Sequence, residues 1–527
     1  MFFHYYPARY GRFVHDFMSW AYTYNHFNWH NIIACDWDMS YHLFYQITFY
    51  TAYKIIGTNA VVWLLLFSML QASVITFIFI LFKKLLRQAA IPNAFGIALC
   101  ANLLALLSPY MTEVVAWGAT IQYLVSVLGI IISWLLIIRY TETRLLKHLL
   151  LAHVVFLLAM YSLEFCVVFP IIIVIYLWLW PKEEKVRFHQ YMLILLPELI
   201  IIISFFVMNS IYRSSWVGHY GPGVHLNLAP KYMGAQFVRY LLKYIAFVQY
   251  YPFSYRNSIY NAAEFDLETY STLILLYITP LIIFIIKYKK LTSTVKTGMI
   301  LYAFTCIALL PTQNIYFQYL NRPEDDRFGY FFSFFFYLVF AFILINVFKR
   351  TGYVIILLYC IIGTFFLIHE IGDWKKAGNV AQALIKEYKW QNYNGKVHIL
   401  CIADNIDGAY LFKNFSCSAT FDQYYEVMKR KNCSPLQQYL YMTMNNETDS
   451  VIANVINDST LQVDLLTNNK LIMKGEAYAS DYDDDDNKVS VMVDKNKPSF
   501  HITFKNKKPG DVYIYESGLH WKQVTGF

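Results

Sequence analysis

The chain has 527 residues, of which 57% are apolar, 19% aromatic and only 15% charged. A soluble globular protein carries about 25% charged residues, so an ordinary soluble enzyme is excluded. The net charge of +8 follows from a bias of Lys and Arg toward one set of short loops, and it gives no reason to expect nucleic acid as a partner.

Residues 1–59 read as an aromatic-rich segment of short amphipathic helices. Trp20, Trp29, Trp37 and many tyrosines suit a membrane headgroup zone. Asp16 stands in "FVHDFMSW", and Asp36 and Asp38 stand two apart in "IIACDWDMSYHLF", close to His42. Paired carboxylates either divide acid and base work or hold a divalent cation. The plainer alternative is an Asp pair capping a helix that opens near Ser40. His26 and His30 are four apart, but no Glu lies between them, so they read as a surface pair.

Ten apolar runs follow, each predicted to span a bilayer core of about 30 Å as a helix. They cover approximately residues 60–82, 93–110, 119–139, 146–163, 165–181, 189–211, 271–287, 297–311, 328–348 and 352–370. Lys83, Lys84, Arg87, Arg139, Arg144, Lys147, Lys182, Lys287, Lys349 and Arg350 all fall in one set of short loops. The positive-inside rule makes that set cytoplasmic. The segments 1–59, 111–118, 212–270 and 312–327, and the tail after Glu370, then face outward. Outward placement of residues 1–59 predicts a leading transmembrane helix upstream of Met1.

Ionisable residues at membrane edges are functional candidates. Glu113 follows the break at Pro109 in "LLSPYMTEVVAW"; a dipole-stabilised Glu at a helix start is the equal alternative. The 212–270 loop ends in "FVRYLLKYIAFVQYYPFSY", an interfacial or re-entrant helix that carries Arg239 and Lys243, with Arg256 just beyond. These cations suit an amphiphile with an anionic head, though simple snorkelling accounts for each one singly. "NRPEDDRFGYFFSFFFYLVF" sets Arg322 and Arg327 at the head of a span, where a lipid phosphate would lie. A guanidinium fork matches two phosphate oxygens at once. Glu324, Asp325 and Asp326 either pair those arginines or orient them.

The tail 371–527 begins with a helix, then a strand and turn in "KVHILCIADNIDGAYLF". Period-two strands follow in "KVSVMVD", "SFHITFK" and "DVYIYES". The fold class is therefore an all-α polytopic membrane protein of about ten helices, with a small α/β extramembrane domain at the C-terminus. Cys100, Cys166, Cys306 and Cys360 fall within spans as packing residues, and Cys417 and Cys433 in the tail could pair. No Cys–His spacing resembles a zinc site.

Taken in order, "SYHLFYQITFYTAYKIIGTNAVVWLLLFSML", "LALLSPYMTEVVAW", "RYLLKYIAFVQYYPFSY" and "LLPTQNIYFQYLNRPEDDRFGYFFS" resemble membrane-embedded GT-C glycosyltransferases. The style is closest to the protein O-mannosyltransferase and tetratricopeptide-linked branch, over roughly residues 35–370. The resemblance implies transfer of a sugar from a polyprenyl-phosphate carrier to an acceptor glycan, lipid or protein on the outer face. By position, Glu113 would be the family's second outer-loop acid, which assists the base or helps bind a divalent cation. Arg327, with Tyr330 beside it, would hold the carrier phosphate. The family's catalytic Asp directly follows the first span, which this chain does not show, so Asp16, Asp36 and Asp38 are the candidates for that base. Lys, Asn, Tyr and Ile usage points to an AT-rich bacterial genome, hence an inner membrane with the tail on the periplasmic side. Two other readings compete: an O-antigen ligase or polymerase type, and a non-catalytic transporter or scaffold.

Overall fold

The structure, a computed structural model, describes all residues except 1, 15, 36–39, 182–186, 215, 217–229, 253–254, 257, 260–261, 263–266, 288–289, 313–322, 413–419, 432–435, 467–470, 474–481, 484–486 and 495–496. The chain is mostly helical, with a sheet region confined to its C-terminal part.

The first segment forms α1 (Phe2–Tyr5), a 3-10 turn over Tyr6–Arg12, α2 (Asp16–His26), α3 (Trp29–Ala34) and α4 (Leu43–Ile56). The predicted short helices are present, and they also have a buried side. Phe13, Val14, Phe17, Met18, Ala21 and Tyr24 are fully enclosed. Phe17 packs edge-on against Trp63, 5.2 Å between ring centres. Trp20 packs on Tyr45 and Phe49, whereas Trp29 remains half exposed.

The body comprises α5 (Ala60–Gln88), α6 (Ala94–Leu106), α7 (Thr112–Ala116), α8 (Ile121–Thr143), α9 (Leu146–Met160), α10 (Phe169–Leu179), α11 (Phe188–Arg213), α12 (Pro230–Ala246), α13 (Leu267–Lys287), α14 (Ser293–Leu309), α15 (Tyr330–Phe348) and α16 (Arg350–Glu387). Asn59 opens α5 by accepting the Val61 and Val62 N–H groups at 3.1 and 3.2 Å, an N-cap that satisfies two orphan donors.

Among the described residues, six helical stretches are long and apolar enough to cross a membrane: 60–88, 118–143, 188–213, 293–312, 326–348 and 350–387. This is fewer than the ten apolar runs of the sequence, for reasons of geometry. The run 93–110 breaks after Leu106, and Pro109 turns the chain through 68° into α7, a bent pair that makes a seventh crossing if it is one broken span. The runs 146–163 and 165–181 fold as α9 and α10, of 15 and 11 residues. At 1.5 Å per residue α9 reaches about 22 Å, and α10 with the 3-10 turn Glu164–Val168 leading into it about 26 Å, so both are shorter apolar helices than the six long stretches. The run 271–287 lies on α13, ten of whose 21 side chains fall outside the described residues. The stretches 118–143 and 326–348 form the centre, each 67% buried over its apolar window, while 188–213 is peripheral at 17%.

The tail does not begin with a new helix. α16 is continuous over 38 residues, roughly 57 Å long, and carries its apolar half straight into a polar one. The polar half holds because it is packed: Trp374, Ala377, Val380, Ala381 and Leu384 are buried. Gly11 and Gly378 allow the 6–12 turn to lie directly on this helix. A Cβ at 378 would meet the Gly11 nitrogen at 2.6 Å, and one at 11 would meet the Trp374 carbonyl oxygen at 2.5 Å.

Among the described residues, eleven strands and one helix, α17 (Phe421–Lys429), follow. The first sheet has the order β11 (His520–Gln523), β10 (Val512–Ser517), β1 (Val397–Ile406), β3 (Leu436–Met444), β6 (Leu471–Met473), with β2 (Ala409–Tyr410) paired to the end of β1. β1 runs parallel to both neighbours, Val397 opposite Val512 and Cys401 opposite Leu440. It is buried along its whole length, as expected of a parallel strand covered on both faces. The second sheet is antiparallel, in the order β4 (Val451–Asn457), β5 (Thr460–Leu465), β9 (Lys497–Phe504), β8 (Asn487–Asp494), β7 (Tyr482–Asp483). The alternating stretches of the sequence are β8, β9 and β10. Cys100, Cys166 and Cys360 are buried as packing residues and Cys306 is half-buried. Cys417 and Cys433 lie outside the described residues.

Candidate functional site

Ser108 and Pro109 set the turn that delivers Glu113. The Ser108 hydroxyl accepts the Tyr110 N–H at 3.3 Å, and Pro109 starts the turn with its φ already restricted. Glu113, on α7, is 1% exposed. Its Oε2 accepts the Arg327 backbone N–H at 2.7 Å, and its Oε1 pairs with the Arg327 guanidinium. The two residues are 214 apart in sequence.

Arg327 sits on a 3-10 turn over Pro323–Gly329 that leads into α15. Gly329 is needed there because a Cβ would come within 2.5 Å of the Tyr244 hydroxyl, which donates to the Gly329 carbonyl at 3.2 Å. The Arg327 guanidinium lies 5.1 Å from the Trp117 ring centre. Its Nη1 also donates to the Tyr410 hydroxyl at 3.3 Å.

Tyr410 belongs to β2, so the C-terminal domain contributes to this site. It arrives through the tight turn at Asp407 and Gly408, with φ of 46° and 94°, the Asp-Gly pair that a left-handed two-residue hairpin turn favours. Trp117 stacks between this hairpin and α16, 4.8 Å from Tyr410 and 6.5 Å from Trp374.

A second buried pair lies alongside. Lys243 on α12, 0% exposed, pairs with Asp326, 1% exposed. The Tyr110 hydroxyl donates to the Lys243 carbonyl at 2.5 Å, and Lys243 Nζ lies 5.3 Å from the Tyr110 ring centre. Asp326 and Arg327 are adjacent yet pair with different elements, because neighbours on a 3-10 turn point about 120° apart. Arg239 lies one turn before Lys243 on α12 and is half-buried. Tyr330 is buried, and its hydroxyl donates to Gln71 on α5. Arg256 Nη1 donates to the Gln249 carbonyl at 2.9 Å.

Glu370 and Asp373 on α16 are buried nearby. Asp373 accepts from Lys376 at 2.8 Å and from His369 at 3.1 Å. Asp407 on the hairpin faces this group. Burial, reinforced by Asp373, pushes its carboxyl up to about 6 against the opposing pull of Lys376 and His369.

Three of the four charge clusters of the sequence thus converge on one site: Glu113, Arg327 and Lys243. From the remaining cluster, Asp36 and Asp38 lie outside the described residues, as does Arg322. His42 bonds Glu164 at 2.6 Å. Asp16 opens α2, half-buried, and the adjoining Phe17 lies against Gly118 at the end of the Glu113 turn. His26 is exposed and bonds the Tyr22 carbonyl and Glu426. Among the described residues no three His, Cys, Asp or Glu side chains gather as metal ligands. An apolar cleft of about 470 Å³ lies between α13 and α14, lined by Leu275, Pro280, Ile283 and Met299 among others.

Comparison with protein-family models, with curated proteins and with solved structures finds no match to this chain.

Sequence reasoning missed Tyr410, Asp326 as the partner of Lys243, and Arg12. For Tyr410 the signal was the Asp-Gly turn in "DNIDGAY", which marks a hairpin but not what its far strand touches.

Proposed function

We propose that the chain is a membrane glycosyltransferase of the GT-C type, moving a sugar from a polyprenyl-phosphate carrier to an acceptor on the outer face. In this reading the chain crosses a bacterial inner membrane about ten times, with the C-terminal domain on the periplasmic side. The observation that carries the reading is the Glu113–Arg327 pair at the head of α15. These residues were singled out from separate loops, and they meet.

A carboxylate held by a guanidinium and a backbone N–H is a weak base, so Glu113 is a positioning residue for Arg327. The proton of the acceptor hydroxyl goes to a carboxylate of the first segment, Asp16, Asp36 or Asp38. The acceptor oxygen bonds to the anomeric carbon, the bond from that carbon to the phosphate oxygen breaks, and the carrier phosphate leaves with its charge met by Arg327. Lys243 and Asp326 fix the turn that presents Arg327.

The test is transfer in proteoliposomes from a panel of radiolabelled polyprenyl-phosphate hexoses, with and without a chelator to read cation dependence. R327M and E113Q are each expected to lose at least a hundredfold in rate, while W178L, on the exposed face of α10, retains wild-type rate. Undiminished transfer by R327M would sink the reading, as would no transfer from any carrier sugar.

A further inference from the structure

Arg12 closes the 3-10 turn over Tyr6–Arg12 and is 1% exposed. Its Nε and Nη1 make no hydrogen bond among the described residues. Its guanidinium lies 4.8 Å from the ring centre of Phe67 on α5. One turn along the same helix face stands Gln71, 0% exposed. The Gln71 carbonyl oxygen is taken by the Tyr330 hydroxyl, but its Nε2 has no partner among the described residues. The Tyr5 hydroxyl lies within electrostatic reach of Arg12 and of the buried Glu370 carboxylate.

These are three donor atoms, on two buried side chains, with no partner among the described residues, whereas buried polar groups are generally paired. A buried charge without a counter-charge is more costly still. Burial pushes the guanidinium down to about 9, so it stays charged at neutral pH. Among the described residues no carboxylate forms an ion pair with it, unlike Arg327 and Lys243. A flat, charged fork matches the oxygens of a tetrahedral anion, and the Gln71 amide lies one helical turn from the Phe67 ring on which that fork rests.

We infer that Arg12, with Gln71 as second donor, forms a buried subsite for a phosphate group where the first segment meets α5 and the turn carrying Glu113. Two sources supply this chemistry, a lipid phosphate and free phosphate, and the experiment below separates them. Only the first source rests on the transferase reading; the subsite itself rests on burial and unpaired donors.

The experiment is thermal unfolding of the full chain in detergent with farnesyl phosphate, inorganic phosphate or farnesol. Farnesyl phosphate is expected to raise the melting temperature and farnesol is not. R12M is expected to weaken phosphate binding by roughly tenfold to a hundredfold, the worth of a charge-assisted hydrogen bond. Without ligand R12M is expected to melt at or above wild type, because it removes an uncompensated buried charge. R12K, with the charge but not the fork, should retain part of the ligand shift. A shift by inorganic phosphate alone, lost in R12M, supports the subsite with free phosphate as its source. A shift only by farnesyl phosphate supports it with a lipid source. The inference is overturned if R12M keeps the full ligand shift, if farnesol matches farnesyl phosphate, or if unliganded R12M melts well below wild type while R12K does not. Binding that depends on Arg12 without any sugar transfer would leave this inference standing and remove the reading above.

Discussion

Breaking the Glu113–Arg327 pair should cost more than any surface ion pair in the molecule. Glu113 is 1% exposed and the Arg327 side chain 15%, so solvent cannot replace either partner. Removing one member of a buried pair costs about 3–5 kcal/mol. E113Q keeps an oxygen for the Arg327 backbone N–H, so its cost is expected at about 2–4 kcal/mol. R327M keeps that N–H but strands a carboxylate in a buried site, at about 3–5 kcal/mol. The double variant removes both charges and is expected to lose only about 2–3 kcal/mol, which leaves a coupling of about 4–5 kcal/mol. Lys84–Glu142, on the surface at 2.8 Å with side chains 28% and 37% exposed, serves as a control with a coupling below about 1 kcal/mol. The assay is denaturant unfolding of the four proteins in one detergent, followed by tryptophan fluorescence. Additive losses, with coupling no larger than the control's, would refute the account of this pair as buried and mutually dependent.

Three further outcomes follow from the same site and its neighbour domain. Burial pushes Glu516 from 4.5 up to about 8, and its Oε2 accepts the Ala403 N–H at 2.7 Å. A raised acid keeps its proton in the folded state, so stability falls as pH rises from about 4.5 through 8. E516Q should flatten that fall and be more stable than wild type at pH 9 by about 4–5 kcal/mol, read from melts across pH. Asp407 follows the same sign between 3.8 and about 6. The full-strength value of about 3 kcal/mol drops to about 1–2 with its partial exposure, and D407N, which tolerates the left-handed turn, should recover that at pH 7. Tyr410→Phe removes one hydrogen bond to Arg327 and should cost about 0.5–1.5 kcal/mol, with a severalfold slower transfer rate; an unchanged rate would detach the C-terminal domain from the site.

Some of this architecture was legible in the residues. Long apolar runs identify a membrane protein because no other use of them is stable in water. Period-two alternation located β8, β9 and β10, since one-sided burial writes itself into a strand's pattern. Glu113 and Arg327 could be singled out because a charge beside an apolar span is costly. Other features were decided only by tertiary structure. Whether an apolar run spans depends on where it bends or stops, as Pro109 and the short α9 and α10 show. The polar half of α16 stays helical because the Gly11 turn packs against it, a contact between residues more than 360 apart in the chain. Pairing is likewise invisible in a one-dimensional pattern. Asp326 and Arg327 are neighbours in sequence, yet the 3-10 turn sends one to Lys243 and the other to Glu113. Arg12 read as one polar residue among aromatics; burial with no counter-charge among the described residues, a property of its surroundings, is what distinguishes it.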